Sequence, residues 1–236
     1  MRANVICDFD GTIALEDVTD GLLDQFAAPA WRNIEAQWLA GEFGSRECMA
    51  LQISLIEASC DEIDRYLDQV EIDPSFGTFV EECERRENVI LNVVSDGIDY
   101  VVKRVLSNHA VTRIRVKANT WVALPNHRYR LEFPHAAIDC KVMAGTCKCA
   151  IAGSMASRRD FPTILIGDGL SDVCVATRAD FVFAKDRLLA HCETNAIPHF
   201  PFNAFSDIER EFPRVLSRLP QSAQCVRDLM ETSSDA

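Results

Sequence analysis

Positive charge is what this sequence lacks. Its 236 residues hold 24 Lys plus Arg against 36 Asp plus Glu, a formal net charge of −12. Basic contacts to phosphates supply most nucleic-acid affinity, so a chain this acidic is a poor nucleic-acid partner. Long apolar runs are missing as well. No stretch approaches the roughly 18 uncharged apolar residues of a membrane-spanning helix. The opening Met1-Arg2-Ala3-Asn4-Val5-Ile6-Cys7 meets Asp8 and Asp10 before any apolar signal core develops, which predicts a cytoplasmic protein. Internal repeats and low-complexity segments are absent. The ten cysteines show none of the paired C-x₂-C spacings of a structural zinc site. In a reducing compartment they read as small buried hydrophobes. Cys140, Cys147 and Cys149, with His135 nearby, stay open as a metal cluster beside that reading.

What is present is an ordinary globular composition, 48% hydrophobic and 25% charged, which excludes disorder. Ala3–Phe9 reads as a buried strand that breaks into a glycine turn at Asp8-Phe9-Asp10-Gly11-Thr12. From about Val18 to Gln69 the apolar residues recur at helical spacing, with breaks at Pro29, Gly41 and Gly44, predicting three or four short helices. Trp31 and Trp38 belong to the core of this insert. Strand and helix then alternate: a helix at Phe76–Arg86, a strand at Val89–Val94, a turn at Ser95-Asp96-Gly97 and a helix at Ile98–Asn108. A strand at Thr112–Lys117, a hairpin around Trp121 and Tyr129–Phe133, and a helix at Cys147–Ala156 follow. Strands at Pro162–Ile166 and Asp180–Ala184 alternate with helices at Ser171–Arg178 and Asp186–Asn195, and helices near Ala204–Leu219 and Ala223–Met230 close the chain. Short β-branched strands alternating with helices predict an α/β fold with a parallel sheet covered on both faces. The expected division is a core of residues 1–14 and 74–236, a helical cap of 15–73, and a short hairpin insertion at 118–145. Apolar positions in the C-terminal helices leave room for a homodimer.

Ligands of such sheets sit beyond the carboxyl ends of the strands. Three strand ends here are polar and contain glycine: Asp8–Thr12, Ser95–Gly97 and Gly167–Asp172. Carboxylates from Asp8, Asp10, Asp168 and Asp172 brought together repel one another unless a cation neutralises them. Carboxylate oxygens with open positions for water and phosphate suit Mg²⁺. One Asp is then free to attack phosphorus, and a second can protonate the leaving oxygen and activate water. Ser95, the amides around Gly97, and Lys148 are available for the phosphoryl oxygens. Each residue also has a plainer reading, as a turn, cap or solvated helix residue.

Asp8-Phe9-Asp10-Gly11-Thr12, Ser95, Lys148 and Gly167-Asp168-Gly169-Leu170-Ser171-Asp172 resemble, in order, the four motifs of the haloacid dehalogenase (HAD) superfamily. Gln25–Trp31, Phe133-Pro134-His135 and Ala184–Leu189 through His199-Phe200-Pro201 resemble its phosphoserine phosphatase-like branch, which includes a methionine-salvage phosphatase. The resemblance implies a Rossmann-like sheet with a helical cap after the first strand, and a Mg²⁺-dependent phosphatase acting on a small phosphorylated metabolite. Phosphoserine or a vitamin-type ester is the alternative substrate, and a non-catalytic phosphate binder the alternative function. The resemblance makes Asp8 the nucleophile and Asp10 the acid/base. It makes Asp8, Asp10 (through its backbone carbonyl), Asp168 and Asp172 the metal set. Thr12, Ser95, Asp96, Gly97, Lys148 and Asp17 become the phosphate- and substrate-binding set, with Lys141 the rival of Lys148. Glu16, beside Asp17, and His135 are further candidates. Ser95-Asp96-Gly97 departs from the second glycine usual in close relatives. Thr146-Cys147-Lys148-Cys149-Ala150 lacks the proline that follows the lysine in the branch.

Overall fold

The computed structural model describes residues 3–159 and 161–219. The helix expected at 223–230 and Cys225 lie outside these residues. Strand β1 is Ala3–Cys7, and four helices follow it: α1 (Val18–Phe26), α2 (Trp31–Leu39), α3 (Ser45–Ile53) and α4 (Cys60–Leu67). The core resumes with α5 (Phe76–Arg85), β2 (Val89–Ile98), α6 (Asp99–Asn108), β3 (Arg115–Leu124) and β4 (Arg128–Glu132). It continues through α7 (Lys148–Arg159), β5 (Thr163–Gly167), α8 (Leu170–Ala176), β6 (Phe181–Ala184), α9 (Asp186–Thr194), β7 (His199–Pro201) and α10 (Phe205–Arg218).

The strands form one seven-stranded sheet in the order β4-β3-β2-β1-β5-β6-β7. β1 is parallel to β2 on one side and β5 on the other, and only the edge strand β4 runs antiparallel. Every residue of β1 and β5 is buried, as central strands covered on both faces must be.

Two expectations change. Ser95-Asp96-Gly97 is not a turn: β2 runs through it to Ile98, with its register against β3 shifting between Val94 and Ile98. The amide of Gly97 donates to Ser95 Oγ at 2.8 Å, so a local bond accompanies the irregularity. The strand expected at 112–117 and the first arm of the hairpin are likewise one strand, β3. Its first half pairs with β2 and its second half with β4, so no turn separates them. β7 had no counterpart among the expected strands.

The cap helices hang from two paired segments. The amide of Leu15 donates to the carbonyl of Glu71 at 3.1 Å, and that of Asp73 to Ile13 at 2.9 Å. α1 starts where Asp17 accepts from the amide of Asp20, and α4 where Ser59 and Glu62 form a capping box. Trp31 is buried in the cap, whereas Trp38 is only half-buried. The cap lies down on the core. Tyr129 Oη of β4 donates to the carbonyl of Ala58 at 2.7 Å, Arg104 of α6 reaches Asp68 at 2.7 Å, and Arg128 pairs with Glu57.

Candidate active site

The chain leaves β1 toward a neighbour on one side, β2, and later returns to the other side as β5. A crevice opens at such a reversal, beyond the strands' carboxyl ends. Asp8 follows β1 directly, Ser95 lies in the last part of β2, and Asp168 follows β5. All three polar strand ends foreseen in the sequence therefore meet.

At the bottom of the crevice lies an ion cluster. Lys148 Nζ stands 2.6 Å from Asp8 Oδ2 and 2.7 Å from Asp172 Oδ1, with both of its partners' side chains and its own shielded from water. It also donates to Ser171 Oγ at 3.0 Å, and Ser171 donates to Asp8 Oδ2 at 3.4 Å. The first residue of α7 thus meets the first turn of α8 over the end of β1. Lys141 is exposed, and Lys148 is the lysine at this cluster. Burial opposes the charge on Lys148, yet Asp172 and Asp8 hold its ammonium well above the ordinary lysine range. Burial and the charge of Asp8 push Asp172 up to about 8, against the pull of Lys148.

Asp168 completes an acidic trio. Asp8, Asp168 and Asp172 each offer a carboxylate oxygen, all within 4.8 Å of one another. Thr12 Oγ1 orients Asp168 by donating to its Oδ1 at 2.6 Å. Gly11, at φ +67°, leaves room for this carboxylate: a Cβ there would stand 2.6 Å from Asp168 Oδ2. Three carboxylates facing one ammonium carry an excess negative charge, and hard oxygen donors at this spacing fit a magnesium ion. Asp172 is the most committed of the three, accepting from Lys148 through one oxygen and from the amide of Gly169 through the other. The carboxylate of Asp10 lies outside this trio, so a part for Asp10 in metal binding falls to its backbone.

Asp10 faces the cap instead. Its Oδ1 accepts from the amide of Val18 at 2.9 Å, and Ser95 Oγ approaches its Oδ2 at 3.4 Å. Burial raises its carboxyl well above the ordinary range, reinforced by Asp17 and Asp8. A carboxyl in that state keeps a proton to donate, which is what a general acid requires. Gly97 makes this contact possible, since a Cβ on it would come within 2.8 Å of Asp10 Oδ2 and 2.9 Å of Ser95 Oγ.

Asp96 is a different matter. Its carboxylate accepts from Ser45 Oγ of α3 at 2.8 Å and from the amide of Thr146 at 2.8 Å, and Asn119 donates to its carbonyl. These bonds engage both carboxyl oxygens of Asp96 and tie cap to core, and burial raises the group above the ordinary carboxyl range. Asp17 caps α1 at the cleft's edge through its Oδ1. His135 and Glu16 are not among the groups gathered around Asp8. Among the described residues the acidic trio is the sole set of three metal-ligating side chains at this spacing, and Cys140, Cys147 and Cys149 are not gathered in that way.

Sequence reasoning missed three groups. Ser171 was seen only as a motif letter, yet it bridges Lys148 and Asp8. Ser45 had no signal, because its partner Asp96 is distant in sequence. Thr19 is buried, and its Oγ1 has no hydrogen-bond partner among the described residues. A Cβ on Gly97 would lie 3.1 Å from that oxygen, which places it beside Asp10 and Ser95.

The comparisons with known proteins agree with this geometry. A family model described as haloacid dehalogenase-like hydrolase matches residues 5–177. A 2-hydroxy-3-keto-5-methylthiopentenyl-1-phosphate phosphatase of Exiguobacterium sp. is 34% identical over 211 residues, 88% of this chain and 96% of the relative. One of the same name from Bacillus cereus is 30% identical over 219 residues, 92% of this chain and 98% of the relative. Among solved structures, a substrate-bound phosphoserine phosphatase superposes with a TM-score of 0.67 at 15% identity, covering 89% of this chain and 98% of the other. At that identity the likeness is one of fold.

Proposed function

The chain belongs to the haloacid dehalogenase-like hydrolases, as a phosphoric monoester hydrolase, and from that premise we propose that its substrate is 2-hydroxy-3-keto-5-methylthiopentenyl 1-phosphate. The observation that carries the catalytic part is the buried Asp8 carboxylate. It stands at the carboxyl end of the central strand, 2.6 Å from Lys148 and two residues before a carboxyl that burial holds well above the ordinary range. Asp8 attacks phosphorus and becomes an aspartyl-phosphate. Lys148 and the Ser95 hydroxyl hold phosphoryl oxygens, and Lys148 offsets the charge of Asp8 as the ester approaches. Asp10 gives its proton to the departing oxygen, then takes one from the water that hydrolyses the aspartyl-phosphate. Asp8 and Asp168 would hold a magnesium ion, which supplies positive charge to the transferring group. The cap excludes bulk water while this proceeds.

The substrate assignment rests on the relatives' names and on their near-complete coverage. One observation favours a second reading. Asp17 and Asp20 crowd the first turn of α1 beside the site, and burial together with Asp17 and Glu35 raises Asp20 to about 6. Carboxylates in that position suit an ammonium group, as in phosphoserine. The test is a panel of kcat/KM values with Mg²⁺ present, run on the methylthio ketone phosphate, phosphoserine and p-nitrophenyl phosphate. A preference of about tenfold or more for the ketone phosphate, worth about 1.4 kcal/mol of discrimination, supports the first reading. The reverse order selects the second. Asp8→Asn must abolish turnover of all three; retained activity would remove the nucleophile assignment.

A further inference from the structure

Two thiols lie beside the ion cluster without entering it. Cys149 Sγ donates to Cys174 Sγ at 3.0 Å, joining the second residue of α7 to α8. Their neighbours in sequence are the groups of the cluster itself: Cys149 follows Lys148, and Cys174 lies two residues after Asp172. Cys149 is buried and Cys174 partly exposed, so a small solute has access to one thiol of the pair. Among the described residues no third metal-ligating group joins them at ligand spacing.

We propose that Cys149 and Cys174 form a dithiol modification site, at which a hydroperoxide introduces a reversible disulfide between α7 and α8. The sulfur of Cys174 attacks one oxygen of hydrogen peroxide. The O–O bond breaks, one water leaves, and Cys174 becomes a sulfenic acid. The sulfur of Cys149 then attacks that of Cys174, the S–O bond breaks, and the departing hydroxide leaves as water with the remaining thiol proton. Two thiols are oxidised by two electrons and one peroxide is reduced to two waters. The sulfurs must close from 3.0 Å to about 2.05 Å, a movement of about 1 Å shared by two helices. Lys148 has contacts of 2.6 and 2.7 Å to Asp8 and Asp172, and it adjoins the residue that moves. A displacement of about 1 Å at a reacting group costs on the order of 100-fold in rate, so the roughly half share of it that falls to α7 costs about tenfold. Oxidation of this pair therefore slows the phosphatase, and thiol exchange with a reductant restores it.

Trypsin makes the test direct. It cuts after Lys148, Arg158, Arg159 and Arg178, which puts Cys147, Cys149 and Cys174 on three different peptides. The full-length protein is treated with hydrogen peroxide, alkylated, digested without reductant and mapped by mass spectrometry, with p-nitrophenyl phosphate hydrolysis followed in parallel. The expected result is a Cys149–Cys174 linked peptide that dithiothreitol removes, together with a reversible tenfold or greater loss of activity. Cys174→Ser and Cys149→Ala, each alone, prevent both the link and the loss. Absence of the linked peptide, or linkage of other cysteines in its place, overturns the site. A link that forms without changing the rate overturns its effect on Lys148. The mass readout is independent of which ester is the substrate.

Discussion

Lys148 is shared by two carboxylates, standing 2.6 Å from Asp8 and 2.7 Å from Asp172 with all three side chains buried. Neither acid has another cation so close among the described residues, so the proposed phosphate ligand is also their structural counter-ion. Breaking a buried pair by removing one partner typically costs about 3–5 kcal/mol. Lys148→Met should therefore lower both kcat, by a factor of about 1,000 or more, and Tm. The stability loss has a pH signature. Without the lysine, Asp172 loses the cation that offsets its burial and folds best protonated, so the variant is penalised more as pH rises above the unfolded carboxyl range. Thermal melts of the two proteins at pH 5 and pH 8 check this: the gap must widen toward pH 8.

The acidic trio makes a second prediction, about magnesium. Burial raises the carboxyls of Asp168 and Asp172 above their unfolded values, Asp172 to about 8. A carboxyl raised by folding contributes stability that is complete below its unfolded pKa and is lost as pH climbs through the folded value. For Asp172 that window runs from about pH 4 to about pH 8. A cation that binds the ionised trio returns the lost stability. Saturating magnesium at about 100 times its Kd is worth about 2.7 kcal/mol, or roughly 5–10 °C for a chain of this size. Differential scanning fluorimetry should show the magnesium shift growing from pH 5 to pH 8 and disappearing in Asp168→Asn. A shift that is larger at pH 5 contradicts the argument.

The core of this site was legible because its residues lie in short contiguous motifs at strand ends. Asp8, Asp10, Ser95 and Asp168 announce themselves by pairing a carboxylate or hydroxyl with glycine after an apolar run. Lys148 was legible only through motif order, since a lysine at a helix start looks the same whether solvated or buried. What stayed hidden depends on long-range contact. The Ser45–Asp96 bond spans 51 residues, and Asp96 looked like a phosphate neighbour until its partners were known. The run of β2 through Ser95–Gly97 stayed hidden because a Ser-Asp-Gly sequence has turn composition. Pairing to β3 as far as Ile98 overrides that local preference.

Thr19 gives a third prediction, in which stability and function move apart. Its buried hydroxyl is unpartnered among the described residues and sits beside Asp10, Ser95 and Gly97. An unsatisfied buried hydroxyl costs about 1–3 kcal/mol, whereas an isosteric methyl carries no such cost. Thr19→Val should thus leave Tm unchanged or raise it slightly. The same change removes a hydrogen-bonding group from beside Asp10, the proposed general acid. We expect kcat/KM for the ketone phosphate to fall about tenfold, with p-nitrophenyl phosphate little affected. Equal losses on both esters would mean that Thr19 serves the phosphoryl group instead.

Ser45 tests whether the cap contact matters for turnover. Ser45 Oγ reaches Asp96, whose other oxygen holds the amide of Thr146, two residues before Lys148. The amide of Arg46 donates to the carbonyl of Met143 at 3.0 Å in the segment that leads there. The start of α3 is therefore linked through one carboxyl group to the loop that leads to Lys148. A hydrogen bond of this kind is worth about 0.5–1.5 kcal/mol, and Ser45→Ala removes it only when the cap is down. The open form gains that much relative to the closed one, while the core keeps the Asp96–Thr146 bond and its stability. The expected outcome is a KM raised about tenfold, a Tm within about 1 °C of the parent, and faster hydrogen exchange at residues 44–50. Ser45→Thr should restore KM by keeping the hydroxyl. If KM and exchange both stay at parental values, the Ser45–Asp96 bond does not govern closure, and the hold on the cap must come from Tyr129, Arg104 and Arg128 at its far side.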